Sequence, residues 1–220
     1  TDKIASFDVF FEGIFPRERL LDIIKNFICF SDEGIKEYKI LAGYHQYFAV
    51  KKAIKKTEVA TQTDGKGGVF WHTQGSGKTA LSFYLTYVLS DYYSKKNMVA
   101  KFYFIVDRID LLEQAKQEFE ARGLVVSTAN TKAELMAQFR NNQAQQGTSG
   151  HQEITVVNIQ RFAEDKEKVD LPAYATNLKR IFIMDEAHRG YKPGGCFLAN
   201  LFDADPNSIK IALTGTPLLK

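Results

Sequence analysis

Apolar positions along the 220-residue chain fall into two regimes. Ahead of residue 43, Leu20, Ile23, Ile24, Phe27 and Ile28 recur at helical spacing behind Pro16, a residue suited to a first helical turn. A second helical pattern runs from residue 44 to about residue 56, with Tyr44, Tyr47, Phe48 and Ile54 on one face. The polar run 57–68 then separates these helices from the remainder. From Gly68 onward, short apolar runs alternate with helical patterns. Residues 69–72, 102–106, 154–157, 181–184 and 209–213 read as strands, and 124–126 as a shorter one. Residues 78–93 and 111–122 read as helices. Thr131 and Glu134 spell a capping box ahead of a further helix that carries Leu135, Met136 and Phe139. Buried strands separated by helices predict a mainly parallel sheet covered on both faces, an α/β domain.

The strand at 69–72 runs directly into His72-Thr73-Gln74-Gly75-Ser76-Gly77-Lys78-Thr79, which opens the next helix. A glycine-rich turn between strand and helix is the setting a phosphate-binding loop requires. Gly75 and Gly77 let backbone amides turn toward phosphate oxygens, and the helix N-terminus favours the same anion. Lys78 would reach the β- and γ-phosphates of ATP, Thr79 would hold Mg²⁺ through its hydroxyl, and Thr73 and Ser76 complete the loop. His72 stands where the usual pattern begins with glycine. About a hundred residues later the strand Ile181-Phe182-Ile183-Met184 ends in Asp185-Glu186-Ala187-His188. In a parallel sheet, ligands sit at the carboxyl ends of strands, so both carboxylates project where the loop opens. Asp185 suits the Mg²⁺ shell, and Glu186 suits orientation and deprotonation of an attacking water.

Composition narrows the class without deciding it. Apolar residues at 45% and charged residues at 25% describe an ordinary globular protein. The longest uncharged apolar-rich run, 79–90, falls short of the roughly 20 residues a membrane helix needs, so no membrane partner is expected. Two cysteines make no disulfide framework, which points to a reduced, cytoplasmic protein. A net charge of +3 is compatible with nucleic acid and does not require it. The aromatic surplus is most economically core. The mixed-sign run 164–168 reads as a solvated face, and 143–150 as a loop.

Together with Leu213-Thr214-Gly215-Thr216-Pro217, these motifs resemble the first motor domain of superfamily 2 helicases and translocases. The resemblance implies a RecA-like fold, with the phosphate loop as motif I, Asp185-Glu186-Ala187-His188 as motif II, and Thr214-Gly215-Thr216 as motif III. His188, Thr214 and Thr216 would then couple nucleotide state to movement. The run 102–108 is similar to motif Ia, and 154–162 to a further DNA-contacting segment. By the same resemblance Arg108, Gln160 and Arg161 are candidate DNA contacts. Residues 71–79, Tyr44-His45-Gln46-Tyr47-Phe48-Ala49-Val50, the approach helix 19–30, and His188-Arg189 narrow the likeness to the motor and restriction subunit of type I restriction enzymes. There Gln46 matches a glutamine that reads the adenine edge; its bland alternative is a polar residue on an amphipathic helix.

That family implies ATP and Mg²⁺ as cofactors. Double-stranded DNA and the methyltransferase and specificity subunits are the implied partners. It also implies a division into a helical linker at 1–42, following a nuclease domain, and a first RecA-like domain at 43–220. Thr1 in place of methionine, and an end at Lys220 just behind a strand-like run, fit a piece of something longer. Glu37-Tyr38-Lys39 has the spelling of a nuclease Glu-x-Lys pair, but the upstream Asp22 lies on a helical pattern, and the nuclease reading is rejected for these residues. Two alternatives stay open: another helicase or remodeller of the same superfamily, and a nucleotide-binding module that switches without turnover.

Overall fold

A computed structural model describes residues 7–32, 36–63, 65–73, 75–140, 152–160, 169, 177–187 and 197–216. Two short helices, α1 (Phe7–Ile14) and α2 (Arg17–Asn26), lead into an antiparallel hairpin of β1 (Ile28–Asp32) and β2 (Glu37–Leu41). Helix α3 (Tyr44–Gln62) follows, and then β3 (Lys66–Trp71), α4 (Lys78–Ser94), β4 (Val99–Val106), α5 (Ile109–Ala121) and β5 (Val125–Ala129). The remaining elements are α6 (Lys132–Arg140), β6 (Glu153–Asn158), β7 (Leu178–Met184), α7 (Phe197–Ala204) and β8 (Ile209–Thr214). Strands β3 to β8 form one sheet in the order β3-β8-β7-β4-β6-β5, and every neighbouring pair is parallel. The expected α/β class is what the chain adopts.

Two apolar layers explain the unbroken apolar runs 102–106 and 181–184 of the central strands. One face of the sheet, with Phe102, Phe104, Ile154, Ile181, Ile183 and Ile211, packs with Leu81, Leu85 and Leu89 of α4. The opposite face, with Tyr103, Ile105, Val157, Phe182 and Met184, packs with Leu135 and Phe139 of α6 and with Leu198 and Leu201 of α7. All seven residues of β7 are buried, as a central parallel strand requires. Phe27, Tyr84, Tyr93 and Phe119 are among the large aromatics that follow the expectation of core. The rings of α1 do not: Phe7, Phe10 and Phe11 remain exposed.

The leading segment differs from its sequence pattern. The helix expected over 19–30 ends at Asn26, whose side-chain amide donates back to Asp22 Oδ1 at 2.7 Å. Phe27 then drops into the core, and β1 alternates, with Cys29 and Ser31 inward and Phe30 and Asp32 outward. Asp22 anchors α2 to α3 by accepting from Tyr47 Oη at 3.0 Å and Lys51 Nζ at 2.9 Å. These bonds hold its carboxyl below the usual range against the opposing effect of burial. Helix α3 also continues six residues beyond 56, because small Thr57 and Ala60 bury there without leaving an apolar signature.

Candidate active site

The phosphate loop sits where β3 meets α4. Gly75 and Gly77 adopt φ of 79° and 77°, the left-handed region that disfavours other residues. Among the described residues other than its chain neighbours, no atom lies within 4 Å of where a Gly75 Cβ would stand, so its backbone borders open space. Lys78, the first residue of α4, is buried, and its Nζ donates weakly to the Thr73 carbonyl at 3.5 Å. Thr79 follows it in the first turn of α4, half-buried.

Strand β7 delivers the carboxylates. The Asp185 amide donates to Ile105 O at 2.9 Å, extending the β7–β4 ladder by one bond, and Asp185 Oδ1 accepts from the Glu186 amide at 3.0 Å. Glu186 has φ of 45°, one of two described non-glycine residues in the left-handed region. Strain of this sort collects at functional sites, where surrounding structure enforces it. Its Oε1 lies 3.7 Å from Lys78 Nζ, so residues 108 positions apart in sequence meet at the mouth of the loop. Burial raises the Asp185 pKa, and the charges of Glu186 and Asp107 push the same way; the Glu186 amide and Lys78 oppose them. Asp107, which stands just behind β4, was not singled out from the sequence as part of this charge cluster.

These residues fit a magnesium nucleotide. Asp185 and Glu186 lie by one lysine, and Asp107 adds negative charge at Asp185, a deficit of positive charge that a divalent cation would correct. Among the described residues no group of three His, Cys, Asp or Glu side chains could hold a metal by itself. A cation beside Asp185 and Thr79 would therefore take its remaining oxygens from phosphate and water.

The other predicted residues fall around the same edge of the sheet. Gln46 lies in the first turn of α3, with Oε1 accepting from the Gly43 amide at 2.9 Å and Nε2 donating to Gly77 O at 3.1 Å. Thr214 ends β8, the strand between β3 and β7, and its carbonyl accepts from the His72 amide at 3.1 Å. Thr214 Oγ1 accepts from the Thr216 amide at 3.1 Å, and Trp71 Nε1 donates to Gly215 O at 3.2 Å. Motif III is thus tied by backbone to the loop's own strand. Arg108 and Gln160 follow the adjacent strands β4 and β6, both exposed. Arg108 Nη2 lies 3.6 Å from Asp110 Oδ2. Gln74, Arg161 and His188 lie outside the described residues.

Comparison with known proteins places this arrangement. Residues 45–220 match the SWI2/SNF2 ATPase family. The chain belongs to that family. Its relatives include the type I restriction enzyme HindI endonuclease subunit of Haemophilus influenzae, 32% identical over 94% of this chain and 20% of the relative. A putative type I restriction enzyme endonuclease subunit of Methanocaldococcus jannaschii, MjaIXP, is 30% identical over 97% of this chain and 19% of its own. The chain therefore spans about a fifth of these relatives. Among solved structures, a nuclease-deletion mutant of the Type ISP restriction-modification enzyme LlaGI, in complex with a DNA substrate mimic, aligns with TM-score 0.52 at 17% identity. It covers 82% of this chain and 18% of that one. At that identity the match speaks for the fold, a RecA-like α/β domain. No described helix of this SWI2/SNF2 ATPase domain is long and apolar enough to cross a membrane.

Proposed function

We propose that this chain is the ATP-binding motor domain of a type I restriction endonuclease subunit, coupling ATP hydrolysis to translocation of double-stranded DNA. The observation that carries the reading is the approach of Lys78 and Glu186 to 3.7 Å, beside a desolvated Asp185. A bare switch module has no use for a carboxylate placed beside both the phosphate lysine and the Mg²⁺ ligand.

In this reading Mg²⁺, when bound, neutralises charge on the phosphates and orients them. Amides of the loop and the Lys78 ammonium hold the β- and γ-phosphates, while Gln46 faces the adenine edge. Asp185 and Thr79 hold the cation. Phosphate draws Lys78 away from Glu186, which leaves that carboxylate free to accept a proton from water. Thr214, Thr216 and His188 pass the nucleotide state to the DNA side, where Arg108, Gln160 and Arg161 contact the backbone. Residues 43–220 form the first RecA-like unit, and 1–42 connect it to a nuclease domain. An arginine from a facing second motor domain completes the site, so the 220 residues alone hydrolyse ATP barely above background. Methyltransferase and specificity subunits supply target recognition in a cytoplasmic complex.

Phosphate release by the complete polypeptide, with and without long duplex DNA and those two subunits, tests the reading. DNA-stimulated turnover that needs the subunits is expected. Stimulation by DNA or RNA without them favours a helicase or remodeller of the same superfamily, and no turnover under any condition favours the switch module.

A further inference from the structure

We propose that His45 is a positioning residue for the phosphate loop, acting with Gly43 and His72 as a clamp that sets the direction of the loop's amides. This rests on reading residues 72–79 as the nucleotide-phosphate site. His45 Nε2 lies 3.1 Å from Ser76 O. A carbonyl only accepts, so Nε2 carries the hydrogen and donates. The next side chain, Gln46, donates to the next carbonyl, Gly77 O, at 3.1 Å. Two adjacent residues of α3 thus hold two adjacent carbonyls of the loop. In a trans peptide the C=O and the following N–H point opposite ways. Drawing both carbonyls toward α3 turns the amides of Gly77 and Lys78 away from it, as a loop that binds phosphate needs.

The two carbonyls are not equally secure without the clamp. Gly77 O also accepts the first helical bond of α4, from the Leu81 amide at 2.9 Å. Ser76 lies one residue upstream of that turn, and its hydroxyl is buried with no partner among the described residues. His45 is therefore what fixes the Ser76 peptide. The surroundings are built for this ring. A Cβ on Gly43 would stand 2.7 Å from His45 Cε1 and 3.0 Å from Nδ1, so only glycine lets the ring fold back over the helix start. His72 packs its ring against His45 at 5.4 Å between centroids, and Tyr44 meets His45 edge-on at 5.6 Å. This gives His72 a purpose at a position where the usual loop begins with glycine. The imidazole buttresses the clamp from the loop side. Burial, with the nearby charges of His45 and Lys78, holds His72 below its ordinary pKa.

The test compares nucleotide affinity and steady-state ATPase kinetics of the complete polypeptide carrying His45→Phe, His45→Gln, Gly43→Ala or Lys78→Ala. His45→Phe keeps an aromatic ring but removes the donor, and should weaken Mg-nucleotide binding and raise KM about tenfold, as loss of one well-placed hydrogen bond does. kcat should fall less than affinity does. His45→Gln restores a donor and should recover most of the loss. Gly43→Ala should weaken binding with His45 still present. Wild-type affinity in His45→Phe, or equal impairment in His45→Phe and His45→Gln, overturns the clamp. If His45→Phe does not fold, Gly43→Ala decides, and wild-type affinity there overturns it. Lys78→Ala separates the two readings. If it binds nucleotide like wild type, the phosphate-site reading itself fails. If it loses binding while His45→Phe does not, the clamp alone fails.

Discussion

The two ends of the seven-residue strand β7 treat buried charge in opposite ways. At the amino end, Arg180 is fully buried against an equally buried Asp205, with Nη1 to Oδ2 at 3.1 Å. The guanidinium stacks over Phe139 at 5.1 Å and donates to its carbonyl at 3.4 Å. Beside it Lys179, whose pKa burial lowers, donates to Asn207 O at 2.6 Å. Asp205 O accepts in turn from Ser208 Oγ and Lys210 Nζ. At the carboxyl end, Asp185 and Glu186 share Lys78 while Asp107 adds negative charge, Asp185 is pushed toward its neutral form, and Glu186 takes a strained backbone. The first end closes its ion pair away from solvent, with Lys179 and Lys210 beside it. The second is left short of positive charge and open toward the loop. A single strand therefore separates a closed ion pair from the site proposed above to receive a cation and a phosphate.

The largest expected effect lies at the amino end. Arg180→Ala strands Asp205 in the core and should cost about 3–5 kcal/mol, the usual penalty for breaking a buried pair by removing one partner. Replacing both residues with apolar side chains of similar volume should recover most of that loss. Equilibrium denaturation of both variants checks this, and a cost below about 1 kcal/mol for Arg180→Ala would end the contrast drawn here.

Next comes the carboxyl end. Glu186→Gln removes the proton acceptor and should lower turnover by about 10²–10⁴-fold. It also releases Lys78 from its ion pair at 3.7 Å, so Mg-nucleotide should bind as well as before or better. Its folding stability should hardly change. A parallel fall in binding and turnover would make Glu186 a structural or metal residue.

The sequence exposed these two ends unequally. Glycines, lysine and paired carboxylates announce phosphate chemistry because few other residue types can do it at that spacing. The central strands were legible for a similar reason, since a parallel sheet buried on both faces leaves unbroken apolar runs. Arg180 and Lys179 gave no such signal, because whether a charge at the start of a strand is buried depends on Asp205 and Asn207, some 25 residues on. Strand β2 is exposed along nearly its whole length and so shows no period-two pattern. Likewise Phe27 and Ile28 continue the helical spacing of α2 in the sequence, although the helix ends at Asn26 and Ile28 opens β1. The capping box ahead of α6 was half right. Thr131 Oγ1 accepts from the Glu134 amide at 3.2 Å, but Glu134 Oε2 reaches the Asn130 amide instead, at 2.7 Å. His45 went unread because its partner is a backbone carbonyl, which has no identity in a sequence.

The smallest effect is the most specific to the contrast. Asp185→Asn keeps the shape of the side chain and removes a desolvated charge, so it should stabilise the nucleotide-free domain by roughly 2–4 °C, about what 1 kcal/mol amounts to at this size. The folded-state pKa of Asp185 lies above its ordinary 3.8. Below the ordinary value both folded and unfolded chains carry the proton, and the group costs nothing. As pH rises, the unfolded chain ionises first, so stability falls until the folded pKa is passed and then levels off. The advantage of Asp185→Asn over wild type should therefore grow from about pH 4 and become constant toward pH 7. Mg-nucleotide should reverse the order, because it binds and stabilises the wild type, whereas the variant has lost the carboxylate that holds the cation. Thermal unfolding of both proteins across that range, with and without Mg-nucleotide, reads each of these signs. If Asp185→Asn is less stable than wild type without ligand, Asp185 is as well paired as Asp205 is at the amino end, and its claim to a cation falls with the contrast.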